Sequence, residues 1–216
     1  MSINKSYAVF GLGRYGRAVA KELVDSGAEV IAVDCNGKVV ENLIGDFPIC
    51  KCADVTDLDA IKQLGISNVD TVVIAMASSL ETSVMATMLC KEVGVRRVIV
   101  KCSSELHREI LKKVGADVVV FPENESGIRL AKNILSSGFI DVADISDDIS
   151  IIKIGVNPKW AGKSLQELEL RKKYSINVIA LIEKDNVRIA LAPDTIIEEG
   201  MNMIVIADKK DINKLK

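Results

Sequence analysis

Gly11, Gly13 and Gly16 stand in the spacing G-x-G-x-x-G, directly after the apolar run Ser6-Tyr-Ala-Val-Phe10. That pattern suits phosphate binding by the backbone. Gly11 permits a tight turn, Gly13 lets the main chain approach a phosphate, and Gly16 lets a following helix pack close to the strand. The N-terminus of such a helix offers unpaired N–H groups and the positive end of a dipole to an anion. Arg14 and Tyr15 lie inside the motif. A second apolar run, Glu29-Val-Ile-Ala-Val33, ends in Asp34, 18 residues after Gly16. A carboxylate there accepts hydrogen bonds from ribose hydroxyls and repels a 2′-phosphate, which favours NAD or an adenine nucleotide such as ATP over NADP.

Four further residues have open readings. Asp54 either reaches an adenine amino group or leads the short helix that begins near Thr56. Arg14 either meets phosphates or is a solvated first-turn arginine. Lys101 closes an apolar run, so its ammonium is expected at a crevice mouth. Glu123 opens a helix, where the dipole favours an acid. Catalytic groups are sparse. His107 is the only histidine and reads as a helix-surface residue before Arg108-Glu109. There is no Ser/His/Asp pattern, no Cys/His pair in strand-end loops and no metalloprotease motif. Of the five cysteines, only Cys50 and Cys52 are close, and two thiols supply half a tetrahedral zinc site. The nucleotide is therefore expected to be sensed rather than consumed, and the chain is not expected to be an enzyme. A small NAD-dependent oxidoreductase is the alternative from another class.

The elements that position these residues alternate. Strand patterns occur at Ser6–Phe10, Glu29–Val33, Pro48–Cys52, Thr71–Met76, Arg97–Lys101 and Asp117–Phe121. Helical patterns fall between them at about 37–45, after Thr56-Asp57, at 80–93 and at 105–114, and a last one runs from Pro122 to about Gly138. Continuous apolar strands interleaved with helices predict an α/β fold, a Rossmann-type doubly wound parallel sheet in the order 3-2-1-4-5-6. In that order Gly11 to Gly16 face Ala75 to Ser79 across the switch-point crevice. From Asp144 onward β-branched alternation takes over, at Ile149–Ile154, Asn177–Ile182, Asn186–Ala190 and Met203–Ile206, interrupted by one helix over 164–173. The expected division is a nucleotide-binding domain at 1–140 and a small α+β domain at 141–216.

Composition narrows the partners. Of 216 residues 49% are hydrophobic, enough for a substantial core, and 28 basic residues against 30 acidic leave a net charge of -2. That balance gives no electrostatic footprint for nucleic acid or an anionic membrane surface. The longest apolar run, Thr71 to Ala77, is far short of the about 20 residues a membrane span needs. The first residues lead straight into a strand without a leader pattern, so a cytoplasmic location with no direct membrane insertion is expected.

Together these residues carry a resemblance. Tyr7 to Gly16, Val33-Asp34, Ala53-Asp-Val-Thr56, Val100-Lys101, Gly115-Ala-Asp117 and Phe121-Pro-Glu123 resemble the RCK (or KTN) N-terminal domain. Ala161 to Leu168, Arg171 to Tyr174, Val178-Ile-Ala180, Pro193 and Glu199-Gly200 are similar to the RCK C-terminal domain. One copy of each matches the regulatory subunits of Ktr potassium transporters better than the two-pair Trk subunits. The resemblance implies a homodimer assembled into an octameric ring on a membrane potassium-translocating subunit of KtrB/TrkH type, peripheral to the inner face of the membrane. ATP would activate and ADP inhibit; NAD or NADH is the alternative ligand. Gly11, Gly13, Arg14, Tyr15, Gly16, Asp34, Asp54, Ala75 and Lys101 would contact the nucleotide, with Arg14 reaching phosphates held by a neighbouring subunit. Glu123 would hold a divalent cation, Mg²⁺ or Ca²⁺, at the dimer interface. In some members of the family the C-terminal domain binds cyclic di-AMP in a dimer-interface cleft, and by that resemblance Arg171 and the segment before Pro193 would lie near it.

Overall fold

The computed structural model describes residues 5–77, 79–135, 139–146, 148–184, 186–208 and 210–211. Contacts group the chain into Met1–Asn124 and Glu125–Lys216. The division falls earlier than the boundary at 140 expected from the change of pattern, within a helix whose Ile128, Leu130 and Ile134 are exposed.

In the first unit the apolar runs become β1 (Ser6–Phe10), β2 (Glu29–Asp34), β3 (Ile49–Cys52), β4 (Thr71–Ile74), β5 (Arg97–Lys101) and β6 (Val118–Val120). They form one sheet in the order β3-β2-β1-β4-β5-β6, with every described pairing parallel, as the alternation predicts. Strand β4 is buried along its whole length because helices cover both faces of the sheet. Successive residues serve opposite faces: Phe10 packs with Val33, Ile74, Val100 and Leu111, whereas Val9 packs with Val30, Ala32 and Val73.

The connecting helices are α1 (Arg14–Asp25), α2 (Gly37–Glu41), α3 (Leu58–Gln63), α4 (Leu80–Glu92) and α5 (Glu105–Val114); α6 (Pro122–Leu135) follows β6. Helix α2 stops at Glu41, short of the expected Gly45, where the chain turns and buries Leu43 and Phe47. The expected end of α6 near Gly138 lies outside the described residues.

The second unit is an antiparallel sheet in the order β10-β9-β11-β8-β7. Its strands are β7 (Phe139–Asp144), β8 (Ile149–Gly155), β9 (Asn177–Glu183), β10 (Asn186–Arg188) and β11 (Asn202–Asp208). Burial alternates along β8 and β11, the signature of a sheet with one covered face. The helix expected over 164–173 is two pieces, α7 (Leu165–Leu168) and α8 (Leu170–Tyr174), broken at Glu169, whose φ is 46°. Leu168 and Leu170 are both buried. On a continuous helix two residues so spaced point to opposite sides, and the left-handed residue between them turns both inward.

His107 departs from its sequence reading. It is buried between α4 and α5, with Nε2 2.7 Å from Ser83 Oγ. Ser83 Oγ also bonds to the Leu80 carbonyl at 2.9 Å. On the other side Nδ1 faces the Ser103 N–H at 3.4 Å and the Ser103 hydroxyl at 3.3 Å, so both ring nitrogens have partners. Burial pushes the imidazole below its ordinary value, which favours the neutral ring. In the unfolded chain His107 takes a proton near pH 6.5, while the native state resists until a lower pH, so its contribution to stability is complete above pH 6.5 and is lost as pH falls through that window. The expected slope is at most about 1.4 kcal/mol per pH unit. Urea titrations between pH 7.5 and 5.5 should show a steeper loss in the native chain than in His107→Gln; parallel profiles would contradict the buried neutral imidazole.

Candidate functional site

The crevice begins where β1 hands over to α1. Gly11 has φ +87°, and a Cβ there would meet Met76 Cγ at 2.4 Å. A Cβ on Gly16 would lie 1.9 Å from the Gly11 carbonyl oxygen and 2.9 Å from the Ala75 Cβ. These two glycines are therefore demanded by packing, and Ala75 forms the opposite wall, its N–H bonded to Phe10 O at 2.8 Å. Gly13 differs: its φ is −66°, and a Cβ there would meet nothing within 4 Å. Neither backbone conformation nor packing calls for glycine at this position. What it preserves is open space beside the main chain, the approach that a phosphate needs.

Helix α1 also starts unlike its neighbours. Helices α2, α3, α4 and α5 are each capped by a side chain, from Asn36, Asp57, Ser79 and Ser104. Helix α1 has Gly13 at this position, no side-chain cap and no acid in its first turn, which carries Arg14 and Arg17 instead. Its leading N–H groups and dipole are left to an anion.

Asp34 pins the loop. Its Oδ2 accepts the Leu12 N–H at 2.7 Å and its Oδ1 the Asn36 N–H at 2.9 Å. Each oxygen keeps a further lone pair for a ribose hydroxyl. The loop contact itself was not foreseen, because an Asp at a strand end does not reveal which backbone it faces. Asp54 spends Oδ1 on the N–H and hydroxyl of Thr56, and these bonds hold its carboxyl below the usual range. That is the local turn role, with Oδ2 alone left over for adenine.

At the far side Lys101 Nζ lies 2.5 Å from Glu123 Oε1 and 5.4 Å from the centroid of the Tyr15 ring. The bond from Lys101 holds the Glu123 carboxyl below its ordinary value, with the Lys101 and Arg14 charges adding to the effect. Arg14, Tyr15, Lys101 and Glu123 thus share one electrostatic neighbourhood. Sequence reasoning placed Lys101 and Glu123 separately and missed the ion pair. Among the described residues no group of three or more His, Cys, Asp or Glu side chains is arranged to hold a metal, so Glu123 would need oxygen ligands from a phosphate or another subunit. Cys52 is exposed and donates to the Cys35 carbonyl at 3.5 Å, while burial, then the Asp34 charge, raises the half-buried Cys50 thiol.

The second unit has a cavity of about 470 Å³ lined by Leu165, Gln166, Arg171, Lys172, Ile176 and Asn177, among others. Glu169, at the break between α7 and α8, accepts from Lys172 at 2.7 Å on its rim.

The TrkA-N domain model matches residues 7–122 and the TrkA-C domain model residues 149–216. The chain belongs to the TrkA family. Over 99% of its length this TrkA-type chain is 33% identical to the Ktr system potassium uptake protein C of Bacillus subtilis, and covers 97% of that protein. It is 34% identical to the Ktr system potassium uptake protein A of Vibrio alginolyticus, again over 99% of this chain and 97% of the relative. A solved structure described as the GsuK channel bound to NAD shares the fold at TM-score 0.52 and 22% identity. That match covers 99% of the TrkA-type chain but 38% of the channel chain. The TrkA-N match includes every predicted first-unit site residue except Glu123, which lies one residue beyond it.

The glycines of this TrkA-type site should separate in mutagenesis. Gly16→Ala drives a methyl into the Gly11 carbonyl and should cost about 3 kcal/mol or more of stability. Gly13→Ala should stay within about 1 kcal/mol of the native chain in denaturant melts. If its methyl fills a phosphate approach, it should nevertheless weaken adenine-nucleotide binding by roughly tenfold or more in calorimetry.

Proposed function

We propose that this chain is a nucleotide-sensing regulatory subunit of a Ktr- or Trk-type potassium uptake system and not an enzyme. The observation that carries the reading is the uncapped start of α1 at Gly13, open to a phosphate and set beside the Asp34 carboxylate. The family and the names of its full-length relatives supply the potassium-uptake context. An oxidoreductase finds no support in His107, whose ring nitrogens are both engaged, by Ser83 of α4 and by Ser103 just before α5.

In this reading ATP and ADP compete for the crevice of the first unit, ATP favouring the active transporter and ADP the inactive one. The γ-phosphate brings extra negative charge, which Arg14 of an adjacent subunit and a divalent cation at Glu123 would neutralise. A ligand shifts a two-state assembly only by its differential affinity for the two states, so the γ-phosphate contacts must exist in one state and not the other. Repetition around a homodimer and an octameric ring multiplies one such contact. The ring would dock from the cytoplasm on a membrane potassium-translocating subunit; no helix among the described residues is long and apolar enough to cross a membrane itself. The cavity beside Arg171 and Lys172 suits an anionic second messenger of the cyclic di-AMP type. NAD or NADH is the second reading for the crevice, because Asp34 suits the adenosine ribose of either ligand and the GsuK neighbour is described as bound to NAD.

Calorimetry with ATP, ADP, NAD and NADH, with and without Mg²⁺, should show ATP and ADP binding and displacing NADH. NADH binding that ATP does not displace would move the assignment to NAD. Arg14→Ala should weaken ATP by roughly tenfold while sparing ADP, the loss expected for one charge-assisted phosphate contact. Equal losses for both nucleotides would remove the role in sensing the γ-phosphate.

A further inference from the structure

The ion pair at the end of β5 is asymmetric. The Lys101 side chain is 15% exposed and the Glu123 side chain 64%. Lys101 is anchored on a strand of the central sheet and held above the Tyr15 ring, within the glycine motif. Glu123 stands in the first turn of α6, with solvent beside it. Of the two partners the carboxylate is the one free to leave, while the ammonium stays beside the loop.

We infer that Glu123 is an internal stand-in for a nucleotide phosphate: its carboxylate occupies the Lys101 ammonium, and an incoming phosphate must replace it there. This deepens the nucleotide-sensing reading and rests on it. A carboxylate and a phosphate oxygen make the same charge-assisted bond to a lysine, so one ammonium serves either. Exchange leaves the Lys101 charge compensated throughout and releases Glu123 beside a second anion, where like charges repel. Glu123 is thereby converted from an ion-pair partner into a carboxylate that needs a cation. A requirement for a divalent ion would then arise only once a phosphate is bound. Because Glu123 lies next to the boundary between the two units, exchange also alters the first turn of the helix through which the chain enters the second unit.

The exchange predicts that a supposed binding residue weakens binding. In EDTA, with no divalent ion present, Glu123→Gln should tighten ADP by roughly two- to fivefold, the worth of a partly exposed ion pair. Adenosine, which brings no phosphate, should bind both chains equally. The gain should persist with Lys101→Arg and vanish with Lys101→Met, whose folding is checked by its melting curve. A gain of the same size in the Lys101→Met background would mean simple repulsion by Glu123 and would overturn the exchange. So would an unchanged or weaker affinity in Glu123→Gln. Failure of the native chain to bind ATP, ADP or NAD would instead overturn the nucleotide reading, and the exchange with it.

Discussion

The approach of Gly16 to the Gly11 carbonyl, too close for even a methyl group, fixes everything around the crevice. It sets α1 against the end of β1 and aims the helix start at the space beside Gly13. Asp34 completes the arrangement from β2 by taking the Leu12 N–H. Loop, helix and second strand are thus locked by one steric contact and one hydrogen-bonded carboxylate. The packing glycines and the open glycine do different work, although the motif writes them with the same letter.

The parallel sheet was legible because its strands are mostly apolar runs separated by helical patterns, and such runs have few alternatives. Thr71 to Ile74 shows this most plainly, buried on both faces as its composition demands. The small domain was less legible. Leu165, Leu168 and Arg171 fit a single helix, and only the burial of Leu170 reveals the break at Glu169. The strand Phe139–Asp144 escaped notice because it precedes the onset of strong β-branched alternation.

The placement of the candidate residues was legible one by one but not pair by pair. Spacing brought Gly11, Gly13, Gly16 and Asp34 to one loop, since their positions follow from local backbone geometry. It could not pair Lys101 with Glu123, which meet only because β6 brings the start of α6 back beside the end of β5. His107 was misjudged for a related reason. Its neighbours Arg108 and Glu109 suggested solvent, whereas its spacing of four from the buried Leu111 marked the inner face of α5. That spacing was the available signal.

The buried imidazole has a consequence for the charge of the core under the proposed sensing role. The chain has one histidine, and its environment keeps it from charging near neutrality. The Cys90 thiol, buried on the same helix as Ser83, is pushed up to about 12 and is equally silent. The core behind the crevice therefore holds its charge steady through ordinary drifts in cellular acidity. In the proposed sensing role, such a background would act as an electrical zero, against which the charge carried in by a nucleotide would be the signal.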